Sequence, residues 1–164
     1  MNNHTNITKV KGDLIEMADS GDVDAIAHGC NCFHVMGGGI AKSINKWSKG
    51  KALATDKQTL YGDINKLGTY SSFEYKGIEC YNLYTQFVTM DMIPHRTGNE
   101  VMVHWLGVYE SIIAMLDVTS ADVIGIPYIG CGLAGGKEEH LMVVLKDIAR
   151  WGYDVEIKVV EYEH

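Results

Sequence analysis

DAIAHGCNCFHVMGGGIA (Asp24–Ala41) carries the reading of the fold. Its first part, Asp24 to His28, reads as a short strand. Its last part, Gly37-Gly38-Gly39, opens a segment patterned as a helix of roughly two to three turns towards Trp47. IGCGLAGG (Ile129–Gly136) repeats that grammar. It follows Val123 to Ile129, a continuous apolar run of the kind found in strands buried on both faces. Glycine lets a backbone approach a ligand closely, and a helix start offers unpaired N–H donors. Glycines also make tight turns that hold nothing. Two such junctions in one chain suggest a grip on both phosphates of a diphosphate.

The rest of the chain places these junctions in an α/β frame. Ile7 to Lys11 reads as a first strand ending at Gly12-Asp13. Lys51 to Gly68 is polar and weakly patterned, a loop with one helical turn. Thr69 to Glu74 and Ile78 to Gln86 form a strand pair around Lys76-Gly77. Asn99 is placed to cap a helix in which Val101, Trp105, Val108, Ile112 and Met115 recur at helical spacing. Leu141, Val144, Leu145 and Ile148 mark another amphipathic helix, stopped near Gly152, and Val155 to Tyr162 alternates as a final strand. Strands alternating with helices imply a mostly parallel sheet covered on both faces. Ligands in such sheets sit at the carboxyl ends of the strands.

The chain has 164 residues, the size of one domain, with 46% hydrophobic and 21% charged residues. No linker, repeat or charge block divides it, so residues 1–164 are read as a single domain. No stretch approaches the ~20 consecutive apolar residues of a membrane span. Met1 to Val10 is polar, without the apolar run of a secretory signal. Cys30, Cys32, Cys80 and Cys131 do not make a disulfide framework, and a reducing cytoplasmic setting is expected. The net charge is −7, and Arg96 and Arg150 are the only arginines. Such a chain offers no nucleic-acid surface, which needs clustered Lys and Arg. It must hold an anionic ligand mainly by backbone N–H groups and helix ends.

Gly130, Gly132 and Gly135 also match G-x-G-x-x-G. In a dinucleotide-binding fold that motif occupies the first βα turn and is followed by further βαβ units. Here one helix and one strand remain, so a dehydrogenase is rejected.

These residues resemble the macro domain family across nearly the whole chain. Lys11-Gly12-Asp13-Leu14 is similar to that family's Gly-Asp-Ile/Leu motif. Asp24 to Asn31 with Gly37-Gly38-Gly39-Ile40-Ala41 is similar to its Asn-Ala-Ala-Asn to Gly-Gly-Gly-Val segment, and Ile126-Pro127 through Gly132 to its second phosphate loop. Within the family, the pattern is nearest the branch that includes ADP-ribose-1″-phosphate phosphatases, which has short members in bacteriophages. The resemblance implies a three-layer αβα fold with a central mixed, mostly parallel sheet. It implies ADP-ribose or ADP-ribose-1″-phosphate as ligand, free or carried on an ADP-ribosylated protein. By the same resemblance Gly12, Asp13 and Leu14 would meet the adenine, Asp13 accepting from its amino group, and Tyr162 would pack against it. The structural alternatives are a helix N-cap for Asp13 and an ordinary strand-end aromatic for Tyr162. Asn31 would bond the distal ribose. Gly37, Gly38, Gly39 and Ile40, with Ile129, Gly130, Cys131, Gly132, Leu133 and Ala134, would hold the diphosphate and shape the distal-ribose pocket.

A related branch removes ADP-ribose from glutamate with a lysine and an aspartate, and this chain has Gln86 and Ala134 at those places. Neither can serve as that branch's nucleophile, acid or base. His28 replaces the first asparagine of the common motif and stands three residues before Asn31. It is expected to act in phosphate-ester hydrolysis as general acid/base or nucleophile, with Asn31 orienting substrate or water. A histidine packed beneath the loop is the structural alternative. His34 is a second candidate, and His95 a candidate rim residue. Cys30-x-Cys32 with His28 and His34 does not match the paired spacing of zinc sites, so no metal or other cofactor is expected. Cys131, between glycines, reads as a small packing residue. Three functions share this site: an ADP-ribose-1″-phosphate phosphatase, a non-catalytic ADP-ribose-binding module, and a hydrolase acting on protein-linked or O-acetyl ADP-ribose. With no attached targeting domain, a small soluble enzyme is expected.

Overall fold

The computed structural model describes residues 5–163, so the start of the polar Met1–Val10 stretch lies outside them. Six strands form one sheet in the order β1-β6-β5-β2-β4-β3. They are β1 (Asn6–Gly12), β2 (Ala25–Cys30), β3 (Tyr70–Tyr75), β4 (Ile78–Tyr84), β5 (Val123–Pro127) and β6 (Glu156–Tyr162). All neighbours pair in parallel except β3 and β4, whose tight connection makes an antiparallel hairpin.

Helices cover both faces. Leu14 and Ala18 of α1 (Leu14–Ser20), Ile44 of α2 (Gly39–Trp47) and Ala52 of α3 (Lys51–Asp56) pack with Ile26, Cys80 and Tyr84 on one face. Val108 and Ile112 of α4 (Trp105–Leu116), with Leu141 and Leu145 of α5 (Glu138–Ala149), pack with Ala27, Leu83 and Ile124 on the other. This is the expected three-layer arrangement with a mixed, mostly parallel sheet.

Three details differ from the sequence reading. The element order read from the sequence has no helix between the first two strands, yet α1, only 7 residues long, starts there. Asp13 takes its alternative role as N-cap, its carboxylate accepting from Ile15 N and Glu16 N at 2.8 and 3.1 Å. Asn99 does not cap α4, which begins after His104. The preceding segment instead pairs with the middle of the molecule, Val103 bridging Gln86, and Val101 is exposed. Residues 51–68 contain α3 and a 3-10 turn, and none of them lines the cleft at the carboxyl ends of β2 and β5. They are pinned behind the sheet by buried Asp56, which accepts from Tyr84 OH at 2.7 Å and lies 3.9 Å from Lys66 Nζ.

The sheet is split near its middle. β2 and β5 pair only at Ala25–Ile124 and Ile26–Gly125. Beyond that point the strands part, and Pro127, which has no N–H, ends β5. The gap opens at the carboxyl ends, where both glycine loops begin.

Candidate functional site

A cleft of about 760 Å³ occupies this gap. Asn31, Gly37, Gly38, Gly39 and Ile40 form one wall, and Ile129 to Ala134 the other. Tyr162 closes the end next to β1, while Gln86 and the segment after β4 close the opposite end.

Helix α2 starts at the first wall. Its N-cap is Gly38, which has no side chain to satisfy the first turn, and the helical ladder begins only at Lys42 N, bonded to Gly38 O at 3.3 Å. Gly39, Ile40 and Ala41 therefore present N–H groups with no intrahelical acceptor. On the other wall, the N–H groups of Gly132, Leu133 and Ala134 have no acceptor among the described residues, although Ala134 O accepts from Met102 N at 2.8 Å. A Cβ added at Gly37, Gly39 or Gly132 would meet nothing within 4 Å. Packing does not require glycine at these three places, although Gly39 has a φ of 55°. Bare backbone facing an open cleft suits a bulky anion.

Asn31 lies in the cleft wall, but its amide holds its own loop: Nδ2 donates to Val35 O at 2.8 Å and Oδ1 accepts from Phe33 N at 2.9 Å. Gln86 donates Nε2 to Val88 O at 2.8 Å. Cys131 is half-buried, and burial, with the charge of Glu138, pushes its thiol up to about 11, so it stays protonated. Burial raises the Cys30 and Cys32 thiols as well.

His28 is not in the cleft. Strand alternation turns it, with Ile26 and Cys30, towards α2 and α3, where it is 1% exposed. It lies opposite Asn82 in the β2–β4 ladder, with Nε2 2.8 Å from Asn82 Oδ1. Asn82 Nδ2 donates to Ala52 O at 3.1 Å, which fixes Oδ1 as the acceptor and puts the His28 proton on Nε2. Burial lowers the imidazole to about 4, against the raising effects of Asn82 and Asp56. His28 is thus a neutral, satisfied core residue, a correction to its expected catalytic role. His34 bonds Thr59 at 3.3 Å behind the loop, and His95 does not line the cleft.

Gly12, Asp13 and Leu14 do not line the cleft either; they lie next to it. Gly12 pairs with Tyr162, which does line it, and Asp13 follows at the start of α1. Cleft residues the sequence reading did not single out include Thr89, Met90, Asp91, Arg96, Tyr128, Glu138 and Glu161. Arg96 was within reach, being one of only two arginines and adjacent to His95. Among the described residues, no group of three or more His, Cys, Asp or Glu side chains is arranged to hold a metal ion.

No family model matches the chain. Over 84 residues, 48% of its length, it is 48% identical to an uncharacterized 17.5 kDa protein in the tk-vs intergenic region of Enterobacteria phage T4. The match spans about half of that relative, 52% of its length. The macrodomain of Mycobacterium tuberculosis DarG superposes with a TM-score of 0.72 at 19% identity, covering 98% of this chain and 99% of that one. The chain has the macrodomain fold. Thermosipho africanus DarTG in complex with ADP-ribose is similar at a TM-score of 0.65 and 14% identity, over 96% of this chain and 42% of that one. An Oceanobacillus iheyensis macrodomain with MES bound gives a TM-score of 0.68 at 15% identity, over 98% and 85% of the two chains. The split between β2 and β5, from which the two glycine loops leave, lies at the middle of the six-stranded sheet.

Proposed function

We propose that the cleft binds ADP-ribose, with the diphosphate gripped between Gly37–Ile40 and Ile129–Ala134. The observation that carries this reading is the bare, unpartnered backbone on both walls: free N–H groups at Gly39, Ile40, Gly132, Leu133 and Ala134, beside glycines with open space at Cβ. An acidic chain with two arginines has few other ways to neutralise two phosphates. The adenine then lies at the β1–β6 end, beside Tyr162 and close to Asp13 and Leu14, and the distal ribose lies towards Asn31 and Gln86. The solved structure of Thermosipho africanus DarTG, a complex with ADP-ribose, lends this ligand its support.

Hydrolysis of ADP-ribose-1″-phosphate is a second reading, favoured by the polar side chains Gln86, Asp91 and Arg96 at the distal end. It proceeds without His28, whose imidazole is out of reach. Removal of ADP-ribose from glutamate by a lysine and an aspartate has no support, because Gln86 and Ala134 occupy the cleft there.

Titration calorimetry with ADP-ribose, ADP and AMP tests the binding reading. ADP-ribose should bind most tightly, and AMP at least about tenfold more weakly, having lost one phosphate and the distal ribose. Asp13→Asn keeps the cap oxygen of α1 but replaces the other carboxylate oxygen by a donor, and should weaken adenine-containing ligands alone. A folded protein that takes up no ADP-ribose at millimolar concentration would falsify the proposal. Release of inorganic phosphate from ADP-ribose-1″-phosphate separates the phosphatase from the binding module.

A further inference from the structure

Arg96 is the one lysine or arginine among the described residues lining the cleft, against three carboxylates, Asp91, Glu138 and Glu161. Its Nη1 lies 3.4 Å from Asp91 Oδ1, with side-chain exposures of 48% and 94% for Arg96 and Asp91. So exposed a pair contributes little stability and exchanges readily with another anion. Position matters more than the pair. In the sheet order, β4 lies beyond β2 and β6 lies beyond β5, so the segment after β4 and Tyr162 flank opposite ends of the cleft. Backbone donors line its middle. An arginine at the end away from Tyr162 is thus supernumerary for a diphosphate held by those donors.

We propose that Arg96 is a specificity-determining residue that favours ligands carrying a further phosphate on the distal ribose over ligands without one. This rests on the ADP-ribose reading above. A guanidinium offers paired donors that match phosphate oxygens, and a phosphate with up to two charges outcompetes a single exposed carboxylate. Asp91 is then the built-in competitor: it holds the guanidinium at the rim and opposes an incoming anion with its own charge. The binding preference is an exchange of one ion pair for a stronger one.

The experiment is calorimetry at low ionic strength with ADP-ribose and ADP-ribose-1″-phosphate, on the unaltered protein and on Arg96→Ala, Arg96→Lys and Asp91→Asn. The unaltered protein should favour the phosphorylated ligand by about tenfold. Arg96→Ala should abolish that preference and leave ADP-ribose within about twofold. Arg96→Lys should keep part of it, having the charge without the paired donors, and Asp91→Asn should widen it. Both positions are exposed at the rim, so the fold should survive in all three variants, and circular dichroism checks this. Arg96→Ala weakening both ligands equally, or neither, overturns the inference while leaving ADP-ribose binding intact. If the unaltered protein binds neither ligand, the ADP-ribose reading itself fails, and this inference with it.

Discussion

A Cβ added at Gly37 in the first loop meets no atom within 4 Å, whereas one added at Gly136 in the second meets Gly130 O at 2.6 Å and Trp105 Cζ2 at 2.7 Å. At Gly135, with φ at 78°, it would collide with the backbone carbonyl of Glu100. The second loop is folded tightly on itself, Gly136 N donating to Gly130 O at 2.7 Å and Gly135 N to Gly132 O at 3.1 Å. It is also sewn to the chain before α4 through Ala134 O. The first loop is held at its shoulder by Asn31 and then runs bare into α2. Glycines that look alike in the sequence therefore answer to different demands. Those of the first loop leave room for a ligand, and most of those in the second make the loop possible at all. Gly132 is the exception, an open glycine within the packed loop.

The largest effect should come from the packed side. Gly135→Ala must adopt left-handed backbone geometry and also push on the Glu100 carbonyl, together about 3 kcal/mol or more. Urea unfolding followed by fluorescence measures it. A midpoint unchanged from that of the unaltered protein would erase the distinction between the loops.

Next comes His28, on the reverse side of the strand that feeds the first loop. Its folded-state value of about 4 lies below the ordinary 6.5. The unfolded chain therefore binds the extra proton between those values. The stability due to the neutral imidazole is fully present above about pH 6.5 and is lost as pH falls towards 4. The shift corresponds to about 3 kcal/mol at most. Denaturation at pH 7.5 and 5 should show a loss in the unaltered protein that His28→Gln, which cannot titrate, largely lacks. An equal loss in both would mean that His28 is not the group responsible.

Both histidine and glycine show how far local signals carry. The strand–glycine–helix junctions are legible because apolar runs and glycine clusters are contiguous in sequence. The same alternation that makes Asp24 to His28 a strand puts His28 on the face of Ile26, yet its partner Asn82 lies 54 residues away and enters only through β-ladder register. Helix α1 is too short for periodicity to reveal, with only Leu14 and Ala18 buried. Asn99 fails as a cap because Glu100 turns back on Thr97 and Gly98 instead. Arg96 reaches the cleft across a segment with little regular structure, so nothing in its neighbours' pattern announces it.

The smallest effect on stability, and the most telling, belongs to the open glycines. Gly37 and Gly132 both lie outside the left-handed region and have space at Cβ. Alanine at either position adds a methyl group without a clash and reduces the freedom of the unfolded chain, so stability should stay level or rise by up to about 1 kcal/mol. The methyl group would instead occupy volume that the diphosphate needs. A ligand forced back by even a fraction of an ångström loses several charge-assisted bonds to backbone N–H groups at once, so affinity for ADP-ribose should fall by about tenfold or more. The two measurements must move apart. If Gly37→Ala and Gly132→Ala bind ADP-ribose as tightly as the unaltered protein, the open space beside those glycines is not where the phosphates sit. The free N–H groups of Gly39 and Leu133 would then need a different occupant.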